Sequence, residues 1–560
     1  GSSFGLELLP ARPPSRIAFL MRRGAQLARH LGAAAGTAAA VSWRPGERPP
    51  GGQQQRFAMC EERRQPFAQR KAEVLARSGD GVASITPLTP AEAALEASVY
   101  RPVLAAAPIS PAKSFLEHKG DYDGSELLAL LRRMPKGGVL HTHGISNGDF
   151  SLLVEALQRD GHFFVWQGDS STLEGTVRAF ASSKDAGPGW AAAGSLPREK
   201  LYGYLTLQAG LPSVEACWEE FGKIWERVLP VGSIAPFYYG RGGFFWSMLH
   251  SHMEAGIVYV EIKEPLFVPF TDYSGRALSD DEWMQQFSST VLEFQKDNPG
   301  FVGARIVPTC LKAQTVEEVR ADFRRAVELK RKFPDFVAGI DMAGPEDVLN
   351  PIELYAAMLE EETARAKRGG VDLPLILHAG ETNVPHASQV VDAVVVGCER
   401  IGHGFALARH PALLERVRAA GISLECCPIS NQVLGYFPDL ATHAALGLMR
   451  AGVPLTLSPD DPGMWHYSDV SYDFAAVGKA WNLSLAELKA LARNSLACST
   501  LRGSRRERAL QAWEAQWDEW VGRELRAAGL AEGAAARRGG PRGGGGGAAQ
   551  SRGPGRTPAR

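Results

Sequence analysis

The sequence predicts an α/β fold: a closed (β/α)8 barrel of the TIM type, with an N-terminal helical segment and an insertion after its first strand. Three observations predict it. Eight short apolar runs recur along the chain, and stretches with apolar residues at helical spacing separate most of them, which is the pattern of a parallel sheet covered by helices. The length, 560 residues, accommodates one such barrel with appendages. Ionisable residues follow several of the apolar runs directly, and barrels of this kind gather their function at the C-terminal ends of their strands.

Taken in chain order, residues 1–55 are rich in Ala, Gly, Arg and Pro and read as a disordered leader. Met21-Arg22-Arg23 and the Ala-rich run after it give them a second reading, a targeting segment. Residues 56–135 read as helical. FAMCEERRQPFAQRKAEVLARSG (56–78) is one helix despite Pro66, and Thr89-Pro90-Ala91-Glu92 starts another, with proline at the first helical position. A third runs from Ser125 to Met134. The predicted strands are then GVLHTH (138–143), IVYVEI (257–262), GARIVPT (303–309), FVAGID (336–341), LPLILHAG (373–380), RIGHG (400–404), ISLECC (422–427) and PLTLSPD (454–460). VEEVRADFRRAVELKRKF (316–333) is typical of the helices between them. The connection from 144 to 256 is too long for one crossover, so an insertion is placed at about 150–250, with SKDAGPGWAAAGSL (183–196) as an exposed loop. The barrel region spans 136–525 and ends in the helical stretch 505–529. Residues 530–560, dominated by Gly, Ala and Arg, read as a disordered tail.

Composition excludes several function classes. The 61 basic and 62 acidic residues leave a net charge of −1, with no global pull toward nucleic acid or an anionic membrane. No run of about 18 apolar residues predicts a transmembrane helix. The seven cysteines are scattered without a C-x-x-C pair, so neither a disulfide scaffold nor a cysteine zinc site is expected, although a single disulfide stays open.

His141 and His143 stand at i and i+2 on the first strand, so both side chains can aim into the barrel mouth and bind one cation. A lone histidine there is more often a hydrogen-bonded core residue. Here a third, His378, and a carboxylate, Asp460, close other strands. Three imidazoles and a carboxylate suit zinc, which lowers the pKa of a water toward neutrality. Glu381, three residues after His378, has the position of a general acid rather than a ligand. His403, between Gly402 and Gly404, has that of an imidazole that orients or deprotonates water. His386, His410, His443 and His466 read as structural or exposed, and Cys426-Cys427 as core thiols without ligand spacing.

The motifs MPKGGVLHTHG, GIDMAGPED, LHAGET, RIGHGFAL, CPISNQVLG and SPDDPGM, in that order, resemble the adenosine deaminase family, and three of them its growth-factor-type subfamily. The resemblance runs with gaps from about 56 to 525. It implies a zinc barrel that hydrolyses adenosine or 2′-deoxyadenosine to inosine and ammonia. It further implies His141, His143, His378 and Asp460 as ligands to one Zn2+, Glu381 as the acid that protonates purine N1, and His403 as the residue that positions the attacking water. Asp461 would meet purine N7 and the Gly344 backbone N–H would meet N3. Trp218, in CWEEF, resembles a tryptophan lining the nucleoside pocket, with a core aromatic as the equal alternative.

The expected partner is therefore a small purine nucleoside, not nucleic acid or membrane. The subfamily resemblance also implies secretion, with a cytoplasmic location as the alternative, and a homodimer formed through the N-terminal helices. Two features depart from the family. It usually has an acid that contacts the ribose just after the second histidine or one position on, where this chain has Gly144 and Ile145, with Asp149 the nearest acid. The subfamily's disulfide-tied insertion has no counterpart cysteine in 166–210. These departures keep two further readings open: a deaminase of another aminopurine or modified adenosine, and a non-catalytic, secreted growth-factor-like binding protein.

Overall fold

A computed structural model describes residues 85–169 and 172–530. The leader read at 1–55, the helix at 56–78 and, apart from Leu530, the tail at 530–560 lie outside the described residues.

The barrel wall is built from two parallel four-stranded sheets. In the first, β1 (Gly137–Val139) pairs with β5 (Ile257–Pro265), β5 with β6 (Gly303–Leu311), and β6 with β7 (Asp341–Ala343). The second runs β8 (Ile376–Ala379), β9 (Arg400–His403), β10 (Ser423–Cys426), β11 (Leu455–Leu457). Single bridges join the two: Ile340 to Leu375 on one side, Thr142 to Asp460 on the other. The second bridge closes the ring, so the predicted (β/α)8 barrel forms. β6 is buried along its whole length and β5 along all but its last residue. That two-sided burial explains why these strands read as continuous apolar runs rather than alternating ones.

Three sequence expectations need correction. The first strand was expected over 138–143, but regular pairing stops at Val139. Beyond it, the Leu140 and His141 N–H groups are taken by the Ser458 hydroxyl at 3.3 and 3.1 Å, so a side chain replaces the ladder where the strands splay at the mouth. The fourth strand, expected over 336–341, pairs regularly only over Asp341–Ala343, with isolated bridges at Val337 and Ile340. Pro374 faces this segment and has no N–H to donate, which interrupts the ladder. Residues 183–196, expected as a loop, are largely exposed but ordered. They carry a short helix at Ser183–Ala186 and β4 (Trp190–Ala192), which pairs antiparallel with β2 (Phe163–Trp166), itself paired with β3 (Val177–Ala179). The edge strand is recruited by aromatic packing of Trp190 against Trp166 and Phe180, which a local reading of Gly and Pro content does not register.

The rest of the segment between β1 and β5 is helical, dominated by Val214–Gly232. Before the barrel, the helix starting at Pro90 opens with a full capping box between Thr89 and Glu92. Glu92 also accepts from Lys489 Nζ at 2.5 Å and Trp517 Nε1 at 2.7 Å, which pins this helix to the long C-terminal helix Gly503–Ala527. All six cysteines among the described residues are free. No described helix is long and apolar enough to cross a membrane.

Candidate functional site

His141, His143, His378 and Asp460, spread over more than 300 residues of sequence, converge at the mouth of the barrel. One potential ligand atom from each lies within 4.8 Å of all the others. Asp460 Oδ1 is 3.3 Å from His141 Nε2 and 3.2 Å from His143 Nε2. Two atoms bound at about 2.0–2.1 Å to one tetrahedral ion stand roughly 3.3 Å apart, so these separations fit a shared cation. The buried atoms His141 Nε2 and Asp460 Oδ1 have no hydrogen-bond partner. Leaving such atoms unsatisfied costs about 1–3 kcal/mol each, so two of them facing one another fit a cation held between them. Asp460 holds a left-handed backbone, φ 62°, and so does His403 at 59°. Such strain in non-glycine residues gathers at functional sites.

The orientation of the histidines comes from a buried ionic cluster that sequence reasoning missed. Glu425 Oε2 lies 2.9 Å from His141 Nδ1, and Asp341 Oδ2 lies 2.7 Å from His378 Nδ1. Each carboxylate thereby occupies Nδ1 and leaves Nε2 for the centre. Lys263, fully buried, bridges the two carboxylates at 3.1 and 3.3 Å, and Arg400 ties Glu425 to Glu261. Burial would push Asp341 up, but His378 and Lys263 overturn that and hold it well below the usual carboxylate range. Burial likewise opposes the Lys263 charge, and Asp341 and Glu425 restore it. The sequence did carry a signal. Glu261, Lys263, Arg400 and Glu425 are charges set inside otherwise apolar strand runs, where an unpaired charge is prohibitive.

Glu381 and His403 sit beside this centre. Glu381 Oε1 is 3.5 Å from His403 Nδ1, and the Asn431 amide nitrogen stands 3.4 Å from the first and 3.1 Å from the second. Burial, then the nearby charges of Asp460 and Glu346, raise Glu381 well above its ordinary pKa, which favours its protonated form. Burial also holds His403 well below its ordinary value, hence neutral. The Glu381 backbone is fixed by Glu346, which accepts from the N–H groups of Gly380 and Glu381 at 2.6 and 3.2 Å. Asp461 accepts from the Ser146 hydroxyl, and burial together with Asp460 raises it to about 7. Gly344, with φ 119°, lies just past β7.

The glycines around His403 have sharper roles than the close approach read from sequence. A Cβ at Gly402 would lie 2.8 Å from the His141 ring, so that glycine makes room for a candidate ligand. Gly404 takes the left-handed turn that ends the strand. Cys427 is the buried core thiol read from sequence, but it does not lack ligand spacing. Its sulfur comes within 4.8 Å of ligand atoms of His141, His403 and Asp460, but burial raises its pKa well above the ordinary value and keeps it a thiol. Trp218 is half-buried on the helix Val214–Gly232 and donates to Tyr436 Oη at 2.8 Å. Two turns further along that helix, Trp225 sits 5.9 Å from the His143 ring, an aromatic that sequence reasoning did not single out.

Known proteins resemble this chain in both sequence and fold. A family model described as adenosine deaminase matches residues 244–514. The chain is 32% identical over 442 residues to adenosine deaminase 2-A of Danio rerio, covering 74% of this chain and 85% of that protein. It is 30% identical over 447 residues to adenosine deaminase 2 of Sus scrofa, covering 73% and 84%. Among solved structures, Arabidopsis ADAL complexed with GMP aligns with a TM-score of 0.50 at 18% identity, covering 70% of this chain and 99% of that one. At that identity the likeness is one of fold alone.

Proposed function

This chain belongs to the adenosine deaminase family, and from that premise we propose that it catalyses the hydrolytic deamination of adenosine and 2′-deoxyadenosine to inosine or 2′-deoxyinosine and ammonia. The observation that carries the reading is the juxtaposition of a buried carboxyl of raised pKa, Glu381, with a four-residue cluster in which His141 Nε2 and Asp460 Oδ1 lack partners.

One Zn2+ held by His141, His143, His378 and Asp460 would supply a Lewis acid that lowers the pKa of a water molecule toward neutrality. The remaining steps belong to the chain. His403, neutral and beside Asp460, orients the water and accepts its proton as oxygen attacks purine C6. Attack would leave negative charge on N1, and Glu381 prevents this by giving its proton there. Asp461 has the raised pKa of a carboxyl that can donate to N7, and the Gly344 N–H would meet N3. Collapse of the tetrahedral carbon then breaks the C6–N bond, and the amine leaves as ammonia after taking up a proton. Trp218 is assigned to the wall of the nucleoside pocket. The helical segment 56–135 is assigned to homodimer contacts, which light scattering of the full chain tests.

A single experiment tests the activity: a panel of adenosine, 2′-deoxyadenosine, adenine, N6-methyladenosine and AMP, with zinc quantified on the same sample. Conversion of adenosine that chelation abolishes and zinc restores is the expected result. Turnover of AMP or adenine alone would move the assignment to another aminopurine. Absence of both zinc and turnover would favour a non-catalytic binding protein.

A further inference from the structure

Gly144 was the point where sequence left substrate recognition open, because no acid follows the second histidine. The structure fills that space from another strand. A Cβ on Gly144 would lie 2.6 Å from Glu264 Oε2 and 3.0 Å from Oε1, so the missing side chain at 144 is the room that the Glu264 carboxylate uses. Glu264 is the penultimate residue of β5 and is only 7% exposed. Among the described residues no donor hydrogen-bonds to it. Its neighbour Lys263 donates to Asp341, and the Tyr239 hydroxyl accepts from Trp283 Nε1. It borders a narrow cleft lined by Gly144, Ile145, Trp225 and Phe270, and Trp225 in turn packs on His143.

A carboxyl held in a cleft that no side chain pairs leaves its hydrogen bonds to whatever fills that cleft. Around the barrel, β5 lies three strands from β8, the strand after which Glu381 stands. A nucleoside whose base meets Glu381 therefore turns its hydroxyl-bearing half toward β1 and β5. Resting on the deaminase reading above, we propose that Glu264 is the residue that accepts a sugar hydroxyl of the substrate, taking over from β5 the role that residue 144 cannot play. Its acceptor strength suits a neutral hydroxyl.

The test compares kcat/KM for adenosine with its 2′-, 3′- and 5′-deoxy analogues in the parent protein, E264Q, E264A and the double variant G144D/E264A, with zinc content and melting temperature measured on each. E264Q should lose about 10- to 100-fold on adenosine, the loss expected when a buried hydrogen bond to the substrate is broken. One deoxy analogue should already be slow with the parent protein and lose less than about threefold more in E264Q. G144D/E264A, which returns a carboxylate to the same space from β1, should recover at least tenfold over E264A. That recovery also separates the proposal from a fold defect should E264Q melt early. Parent-like selectivity of E264Q across the four substrates, or equal loss on all of them, would overturn the role of Glu264 while leaving the deaminase reading intact. If the parent protein deaminates none of them, the deaminase reading fails first.

Discussion

Asp341→Asn isolates what the buried ionic cluster does for the candidate metal centre. Asp341 Oδ1 accepts from two backbone N–H groups, His378 at 2.9 Å and Met342 at 2.7 Å. An asparagine must keep its carbonyl oxygen there, which turns its NH2 toward His378 Nδ1 and Lys263 Nζ. His378 Nδ1 then faces a donor. Its proton moves to Nε2, the atom that a metal would need. Loss of such an outer partner typically lowers metal affinity about 10- to 100-fold, or roughly 1.4–2.7 kcal/mol. Lys263 also loses one of two counter-charges in a fully buried position, and breaking a buried pair costs about 3–5 kcal/mol. Glu425 remains 3.3 Å away, which puts the expected loss near the lower end, about 3 kcal/mol. Zinc affinity is read by competition with a chromogenic chelator, and stability by urea unfolding of the metal-free protein. A D341N protein with zinc affinity within twofold of the parent and an unchanged unfolding midpoint would refute the argument that Asp341 fixes His378.

The other predictions address the acid, the pH response and the helical segment before the barrel. Glu381→Gln should keep its zinc, as measured by atomic absorption, and lose about 10²–10⁴-fold in kcat. Because the Glu381 pKa is raised, its acid form persists to higher pH than that of a free carboxyl and is lost as pH rises through the folded value. The parent's kcat–pH profile should therefore have an alkaline limb that E381Q lacks. His252, buried beside Asn147, is lowered to about 4 by burial. Its neutral form contributes stability fully present above the unfolded value near 6.5 and lost as pH falls toward 4, on the order of 3 kcal/mol. Unfolding free energy should fall across that window, and His252→Gln should flatten the fall by up to one proton. Glu92→Ala strands the buried Trp517 N–H and the Lys489 charge, so urea unfolding should show a loss of about 3 kcal/mol with kcat unchanged.

Much of the fold was legible because it is written in local pattern. The β5 and β6 runs are apolar throughout since both faces are buried, and Thr315, Ser279 and Thr89 announce helix starts through capping boxes. Strand ends were read too long at His141–His143 and at Phe336–Ile340, because pairing there depends on Ser458 and Pro374, which are distant in sequence. The four candidate ligands were legible one by one as ionisable residues after apolar runs. Trp225 was not, since nothing in its helical spacing distinguishes it from a core aromatic.

By itself, the sequence determined the barrel class, the family resemblance and the candidate chemistry at His141, His143, His378, Glu381, His403 and Asp460. Periodicity and side-chain chemistry are properties of the residues themselves, so they survive without coordinates. Only the tertiary structure decided how those residues are held. The Glu425–Lys263–Asp341 cluster and the occupation of Gly144's space by Glu264 are relations between different strands. Charges and volumes balance through space, and a carboxylate on one strand can stand where another strand has only a glycine hydrogen.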